Sequence, residues 1–103
     1  MSDVYEIVAK QFGRNLVRCR KRAGLSQEDV GFEAAIHRTE VGTLERGVRL
    51  PRIDTLVKLS VALKVEVGEL LDGIEWKPPA PSPTNGQFQV EVDGDDADEP
   101  ERS

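Results

Sequence analysis

One cysteine, one histidine and no long apolar run characterise this sequence of 103 residues. With Cys19 alone, no intramolecular disulfide can staple the chain, and a reducing, cytoplasmic location is expected. No stretch reaches the roughly 18 apolar residues that a membrane span needs, so no membrane partner is expected. The opening residues, Met1-Ser2-Asp3-Val4-Tyr5-Glu6, have no basic run leading into an apolar block, so no secretory signal is expected. His37 has no cysteine or carboxylate cluster near it in sequence, and it stands where a helix needs a cap. No nucleophile–base pair, paired-carboxylate site, metal spacing or phosphate-cradling glycine loop can be assembled. The expectation is therefore a protein that is not an enzyme and carries no metal or cofactor.

What the sequence does have is segregated charge. The net charge is −5. Residues 1–72 hold 12 basic and 11 acidic side chains, whereas residues 73–103 hold 2 and 8. Within residues 10–52 there are 10 basic and 5 acidic residues. A mildly basic body thus carries an acidic tail. A basic face suits a polyanion, and an acidic tail repels or mimics one.

Apolar residues recur at helical spacing through Ile7, Val8, Phe12, Leu16, Cys19 and Ala23, which predicts one amphipathic helix with those residues turned inward. Gly24 ends it, and Arg18, Arg20, Lys21 and Arg22 fill its last turns, where cations suit the helix dipole. Ser26 with Asp29 three residues on resembles a capping box and starts a two-turn helix from Gln27 to about Ala34. After a break at Ala35-Ile36-His37, a third helix runs from about Arg38 to Arg46, with Val41 and Leu44 inward, and Gly47 stops it. Pro51 precedes a fourth helix, capped by Asp54 or Thr55, whose stripe is Leu56, Leu59, Ala62 and Leu63. A fifth, about Val67–Leu71, ends at Asp72-Gly73. Five helices joined by short loops make an all-α domain over residues 1–73.

Beyond Gly73 the character changes. Residues 77–83 hold four of the six prolines and read as an extended linker. Ile74-Glu75-Trp76 precedes it, and Phe88, Val90 and Val92 alternate after Asn85-Gly86, so the extension over 74–92 predicts a small two-stranded β-hairpin with Trp76 at least half buried. Residues 93–103 read as an acidic, disordered tail.

The chemistry concentrates at residues 24–47. Two short helices around a tight turn, anchored by Val30, Ile36, Val41 and Leu44, form a helix-turn-helix pattern. Such a clamp leaves the outer face of the second helix free to enter a DNA groove about 12 Å wide. On that face the spacing puts Arg38, Thr39, Gly42, Thr43 and Arg46. Arginine reads a guanine edge with two hydrogen bonds, threonine offers a hydroxyl or a methyl, and a glycine lets the backbone come close.

The stretches Gly24-Leu25-Ser26-Gln27-Glu28-Asp29-Val30, Ile36-His37-Arg38-Thr39-Glu40-Val41 and Leu44-Glu45-Arg46-Gly47 resemble the Cro/lambda-repressor-type helix-turn-helix family of bacterial and phage regulators. The likeness continues through Arg49-Leu50-Pro51 and Thr55-Leu56-Val57-Lys58-Leu59 to Leu70-Leu71 and covers about residues 10–72. The resemblance implies a five-helix lambda-repressor-like domain and a sequence-specific regulator of transcription, repressor-like, bound to double-stranded DNA. It implies base reading by Arg38, Thr39 and Thr43, and phosphate contacts by Gln27, Arg46, Arg49 and Arg52. It also implies a structural ion pair between Arg20 and Glu45. Two residues depart from the family pattern: Ala35 where the turn takes glycine, and Gly31 where the second helix takes alanine. Each is expected to cost about 1 kcal/mol.

One recognition helix reads only a few base pairs, so a homodimer on a near-palindromic site is expected, joined through the fifth helix and the Ile74–Val92 region. The extension also offers a surface for a protein partner. Two rival readings stand beside the repressor: a protein-interaction module that keeps the fold without DNA contacts, and an antitoxin or restriction-modification controller built on the same domain.

Overall fold

The computed structural model describes residues 2–78 and 86–90. Five helices come first: α1 (Ser2–Ala23), α2 (Gln27–Ala34), α3 (Arg38–Glu45), α4 (Ile53–Leu63) and α5 (Val67–Leu70). Two strands follow, β1 (Ile74–Lys77) and β2 (Gln87–Val90). The all-α body with a small hairpin is the expected architecture. The linker residues 79–85, Val92 and the acidic segment 93–103 lie outside the described residues.

Phe12, Leu16 and Cys19 of α1 meet Val30, Val41, Leu44, Leu59 and Leu70 in one core. Burial pushes the Cys19 thiol pKa up, so it packs as a neutral apolar group. The inward stripe of α1 differs from the expectation at both ends. Ile7 and Ala23 are exposed, and the buried residue of the first turns is Ala9. At 22 residues, α1 is about twice as long as the 11-residue α4, so its ends overhang the body. Two polar residues, Gln11 and Asn15, are also buried. Asn15 Nδ2 donates to the carbonyls of Leu70 and Asp72, both at 2.9 Å, and Gln11 Nε2 donates to Asn15 Oδ1 at 3.1 Å. These amides satisfy carbonyls at the end of α5 that the short helix leaves without backbone partners.

Local chemistry sets most helix boundaries. Ser26 and Asp29 form a full capping box: each backbone N–H donates to the other's side chain at 2.9 Å. Hydrogen bonding from the Ser26 backbone N–H, and then from the Ser26 side chain, holds the Asp29 carboxyl below its ordinary pKa. The turn residue Ala35 is left-handed, at φ 57°. The cap expected for α4 is absent: the helix starts at Ile53, Arg52 occupies the cap position without a side-chain hydrogen bond, and Asp54 and Thr55 lie inside the first turn. The α5 helix stops one residue short of Leu71.

Gly31 corrects another expectation. A Cβ there would stand 2.8 Å from the Ile36 carbonyl oxygen and 3.1 Å from the Arg38 nitrogen. The glycine is therefore needed for the backbone of α2 to lie directly against the turn into α3, and its poor helix propensity is secondary.

The strands pair antiparallel, with Ile74 opposite Val90 and Trp76 opposite Phe88. The Trp76 and Phe88 rings meet edge-to-face, 5.1 Å between centroids. A Cβ on Gly86 would penetrate the Trp76 ring, so the indole lies flush on the glycine. Trp76 is nevertheless 52% exposed, just short of the expected half burial. Burial falls along β1 from Ile74, which packs against the core, towards Lys77. The hairpin's β2 lies beside α1.

Candidate nucleic-acid interface

Val41 and Leu44 turn one side of α3 into the core, where both are fully buried. Helical geometry then turns Thr39, Thr43 and Arg46 the other way. Arg38, Thr39 and Arg46 are exposed and Thr43 is half-buried. Gly42 is not on that outer face. It is buried under α2, and a Cβ there would lie 3.4 Å from both the Gln27 amide oxygen and the Arg46 guanidinium. Gln27 and Arg46 thus lie close over the glycine, at distances where a Cβ would make ordinary van der Waals contact with both. The sequence spacing placed Gly42 wrongly because it sits on the boundary between the two faces.

The N-terminus of α3 is fixed by His37. The ring Nδ1 accepts from the Thr39 backbone N–H at 3.0 Å and sits 2.7 Å from the Thr39 hydroxyl. The Thr43 hydroxyl donates to the Thr39 carbonyl at 2.9 Å, which fixes its rotamer and directs its methyl away from that bond.

Behind this face runs a chain of hydrogen bonds through three helices. Arg20 of α1 grips Glu45 of α3 with two nitrogens, Nε to Oε2 at 2.5 Å and Nη2 to Oε1 at 3.1 Å. The same guanidinium donates to the Leu25 carbonyl at 3.0 Å. Glu45 Oε1 also accepts from Gln27 Nε2 of α2 at 2.8 Å. The side chains of Arg20 and Glu45 are 14% and 6% exposed, so the pair is largely shielded from solvent. This network holds α1, α2 and α3 at fixed angles. Gln27 keeps a second amide hydrogen for another acceptor.

Arg38, Arg49 and Arg52 on this side have carboxylate neighbours that the sequence reading did not pair with them. Arg38 lies 3.5 Å from Glu28, Arg49 lies 2.7 Å from Glu40, and Arg52 lies 3.3 Å from Asp54. Arg46 has no carboxylate within salt-bridge distance among the described residues. Arg38 and Glu28 are ten positions apart across a turn, so no helical periodicity links them in sequence. The loop after α3 also borders a groove of about 520 Å³ against α1, lined by Tyr5, Lys10, Val48, Arg49 and Leu50 among others. Among the described residues no helix is long and apolar enough to cross a membrane, and no three side chains gather as metal ligands.

The chain is similar in sequence and fold to known proteins. The control protein C.BamHI of Bacillus amyloliquefaciens is 39% identical over 62 residues, spanning 59% of this chain and 76% of its own length. An HTH-type transcriptional regulator of Sinorhizobium fredii is 36% identical over 69 residues, 67% of this chain and 90% of its own. The crystal structure of the restriction-modification controller protein C.AhdI from Aeromonas hydrophila superposes with a TM-score of 0.59 at 39% identity, covering 60% of this chain and 94% of that one. The helix-turn-helix family HTH_3 matches residues 16–70, more than half of the chain, and the chain belongs to that family.

Proposed function

We propose that this chain is a sequence-specific DNA-binding regulator of transcription that inserts α3 into the major groove. The observation that carries the reading is the Gln27–Glu45–Arg20 network, which holds α3 by its inner side and leaves Thr39, Thr43 and Arg46 outward. A rigidly held helix with short polar side chains and arginines on its free face suits a groove whose base edges present donors, acceptors and methyl groups. Arg38, Thr39 and Thr43 are the base readers in this reading. Gln27, through its second amide hydrogen, with Arg46, Arg49 and Arg52, contacts the phosphates. A homodimer would read two half-sites about 34 Å apart. The activity is binding rather than catalysis.

Within that function, the likeness to the control protein of Bacillus amyloliquefaciens and to the restriction-modification controller of Aeromonas hydrophila favours a controller of restriction-modification genes over a phage-type repressor. Selection of bound DNA from a random double-stranded pool tests the reading. Enrichment of a short, two-fold symmetric motif is the expected result. A pool that stays random through successive rounds, with binding that vanishes at moderate salt, would overturn it. Mapping the genes beside this one decides between controller and repressor.

A further inference from the structure

Two glycines let α1 lie directly on the end of α3. A Cβ on Gly13 of α1 would stand 2.5 Å from the Glu45 carbonyl oxygen and 2.7 Å from that of Leu44. A Cβ on Gly47, just past α3, would stand 2.8 Å from the Cα of Lys10 and 3.2 Å from its backbone nitrogen. Lys10 and Gly13 are three positions apart, so both contacts fall on one side of α1. Backbone therefore meets backbone at both points, with no side chain between, and a methyl at either glycine would push the two elements apart. This close approach fixes the position of Lys10 against the segment that follows α3. Lys10 and Gly13 precede residues 16–70, the part of the chain that the family match covers.

What Lys10 meets there is a cationic edge. Residues 46–52 carry Arg46, Arg49 and Arg52, and Lys10 lines the same groove as Arg49. Lys10 is exposed, and among the described residues no carboxylate lies within salt-bridge distance of it. Glu6, one turn earlier along the same groove, stays beyond that distance. Arg49 is held by Glu40, whereas the charge of Lys10 is unopposed. A compact ammonium on a flexible four-carbon stem suits a phosphate oxygen, which asks for charge and not for the two-pronged geometry of a base edge. We propose that Lys10 is a further phosphate contact, by which α1 adds one cation to the DNA-backbone contacts of the segment after α3. The role rests on the DNA-binding reading above and adds to it a binding residue from a helix that the reading leaves as scaffold.

Titration of the full chain with random-sequence duplex DNA at several salt concentrations tests the contact. Lys10→Gln removes the charge and keeps a good helix former at an exposed position, so its helical circular dichroism and urea midpoint should match those of the native chain. Its slope of log affinity against log salt is expected to be shallower by about 0.9, so its deficit in affinity narrows about threefold between about 50 and 200 mM salt. Lys10→Arg should keep the native slope. Preference among single-base variants of a selected site should be unchanged in Lys10→Gln, because a phosphate contact positions the protein without reading sequence. Lys64→Gln removes an exposed charge at the end of α4 far from residues 46–52, and should leave the slope native. A Lys10→Gln protein with the native slope, or one that Lys64→Gln matches, overturns the proposal and leaves the DNA-binding reading standing. A native chain with no affinity for any duplex removes that reading, and the role of Lys10 with it.

Discussion

Gln27 and Arg20 share one acceptor. The Gln27 amide donates to Glu45 Oε1 at 2.8 Å, and Arg20 Nη2 donates to the same oxygen at 3.1 Å. The orientation of α3 is thus set by a single carboxylate that belongs to it, held from α1 on one side and α2 on the other. Removing that carboxylate takes from a shielded guanidinium and a part-buried amide the acceptor they share, whereas removing Glu40 breaks only its exposed pair with Arg49. Glu45→Ala is therefore expected to destabilise the fold by about 2–4 kcal/mol. Glu40→Ala is expected to cost no more than about 1 kcal/mol. Urea midpoints of the two variants check this, and equal midpoints would show that the shielded network contributes no more than a surface pair.

Gly31 and Ala35 call for opposite substitutions. Alanine is the better helix former by about 1 kcal/mol, yet Gly31→Ala drives a methyl into the Ile36 carbonyl and is expected to destabilise by about 1–3 kcal/mol. Ala35→Gly relieves a left-handed alanine at φ 57° and is expected to stabilise by about 0.5–1 kcal/mol. Thermal unfolding of both variants gives the signs. A stabilised Gly31→Ala would mean that α2 and the turn can separate at little cost.

These two residues also show what the sequence could and could not reveal. Helix ends were legible wherever the stop or start is local: the Ser26–Asp29 box, Gly24, Gly47 and the left-handed Ala35 each act within a few residues. The hairpin was legible because alternation is a two-residue period and Trp76 and Phe88 mark one face of it. The contacts of Gly31 and the burial of Gly42 were not legible, because each depends on how closely α2 crosses α3. Ile7 follows the apolar rhythm of α1 but overhangs the body, and rhythm alone carries no information about where a neighbouring helix ends. The Glu28 and Glu40 neighbours of Arg38 and Arg49 were missed for the same reason, since tertiary contact brings them together.

The capping box of α2 gives the fold a pH dependence of defined sign. The Asp29 carboxylate accepts from Ser26, and those hydrogen bonds lower its pKa in the folded state. A carboxyl with a depressed folded pKa contributes its stability above the unfolded pKa and loses it as pH falls through the folded value. Asp29→Asn should therefore be less stable than the native chain at neutral pH, with the gap closing as pH drops below the ordinary aspartate value of 3.8. Urea unfolding between neutral pH and pH 3 measures the gap. A gap constant across that range would mean that the charge of Asp29 is irrelevant to the cap. Ser26→Ala removes the other half of the box and should cost about 1 kcal/mol.

Base readers and phosphate binders separate in their DNA energetics. Arg38→Ala is expected to relax preference at one position of each half-site by about 1–3 kcal/mol and to leave random-sequence affinity nearly unchanged, because a bidentate base contact discriminates without adding much to the charge term. Competition binding with every single-base variant of the selected site measures it. Uniform loss across all variants would move Arg38 from the base readers to the phosphate binders.

The salt dependence of binding should distinguish Arg46 from Arg49, although sequence reading gives both the same role. Arg46 has no carboxylate within salt-bridge distance among the described residues, so its contact with a phosphate releases a counterion. Arg46→Ala should reduce the slope of log affinity against log salt by about 0.9. Arg49 must first leave Glu40, 2.7 Å away, and the carboxylate it abandons then faces the DNA. Its pairing therefore offsets most of what the arginine adds to the charge term. Glu40→Gln frees the guanidinium, so this variant should bind random DNA more tightly at low salt and show a steeper slope, by up to about 0.9. Arg49→Ala should then change the slope much more in the Glu40→Gln background than in the native one, because only there does Arg49 act as an unopposed charge. Titrations of the four proteins of this cycle on random DNA at several salt concentrations give the coupling directly. If Arg49→Ala has the same effect in both backgrounds, Glu40 is a bystander, and Arg46 and Arg49 contribute to DNA binding in the same way.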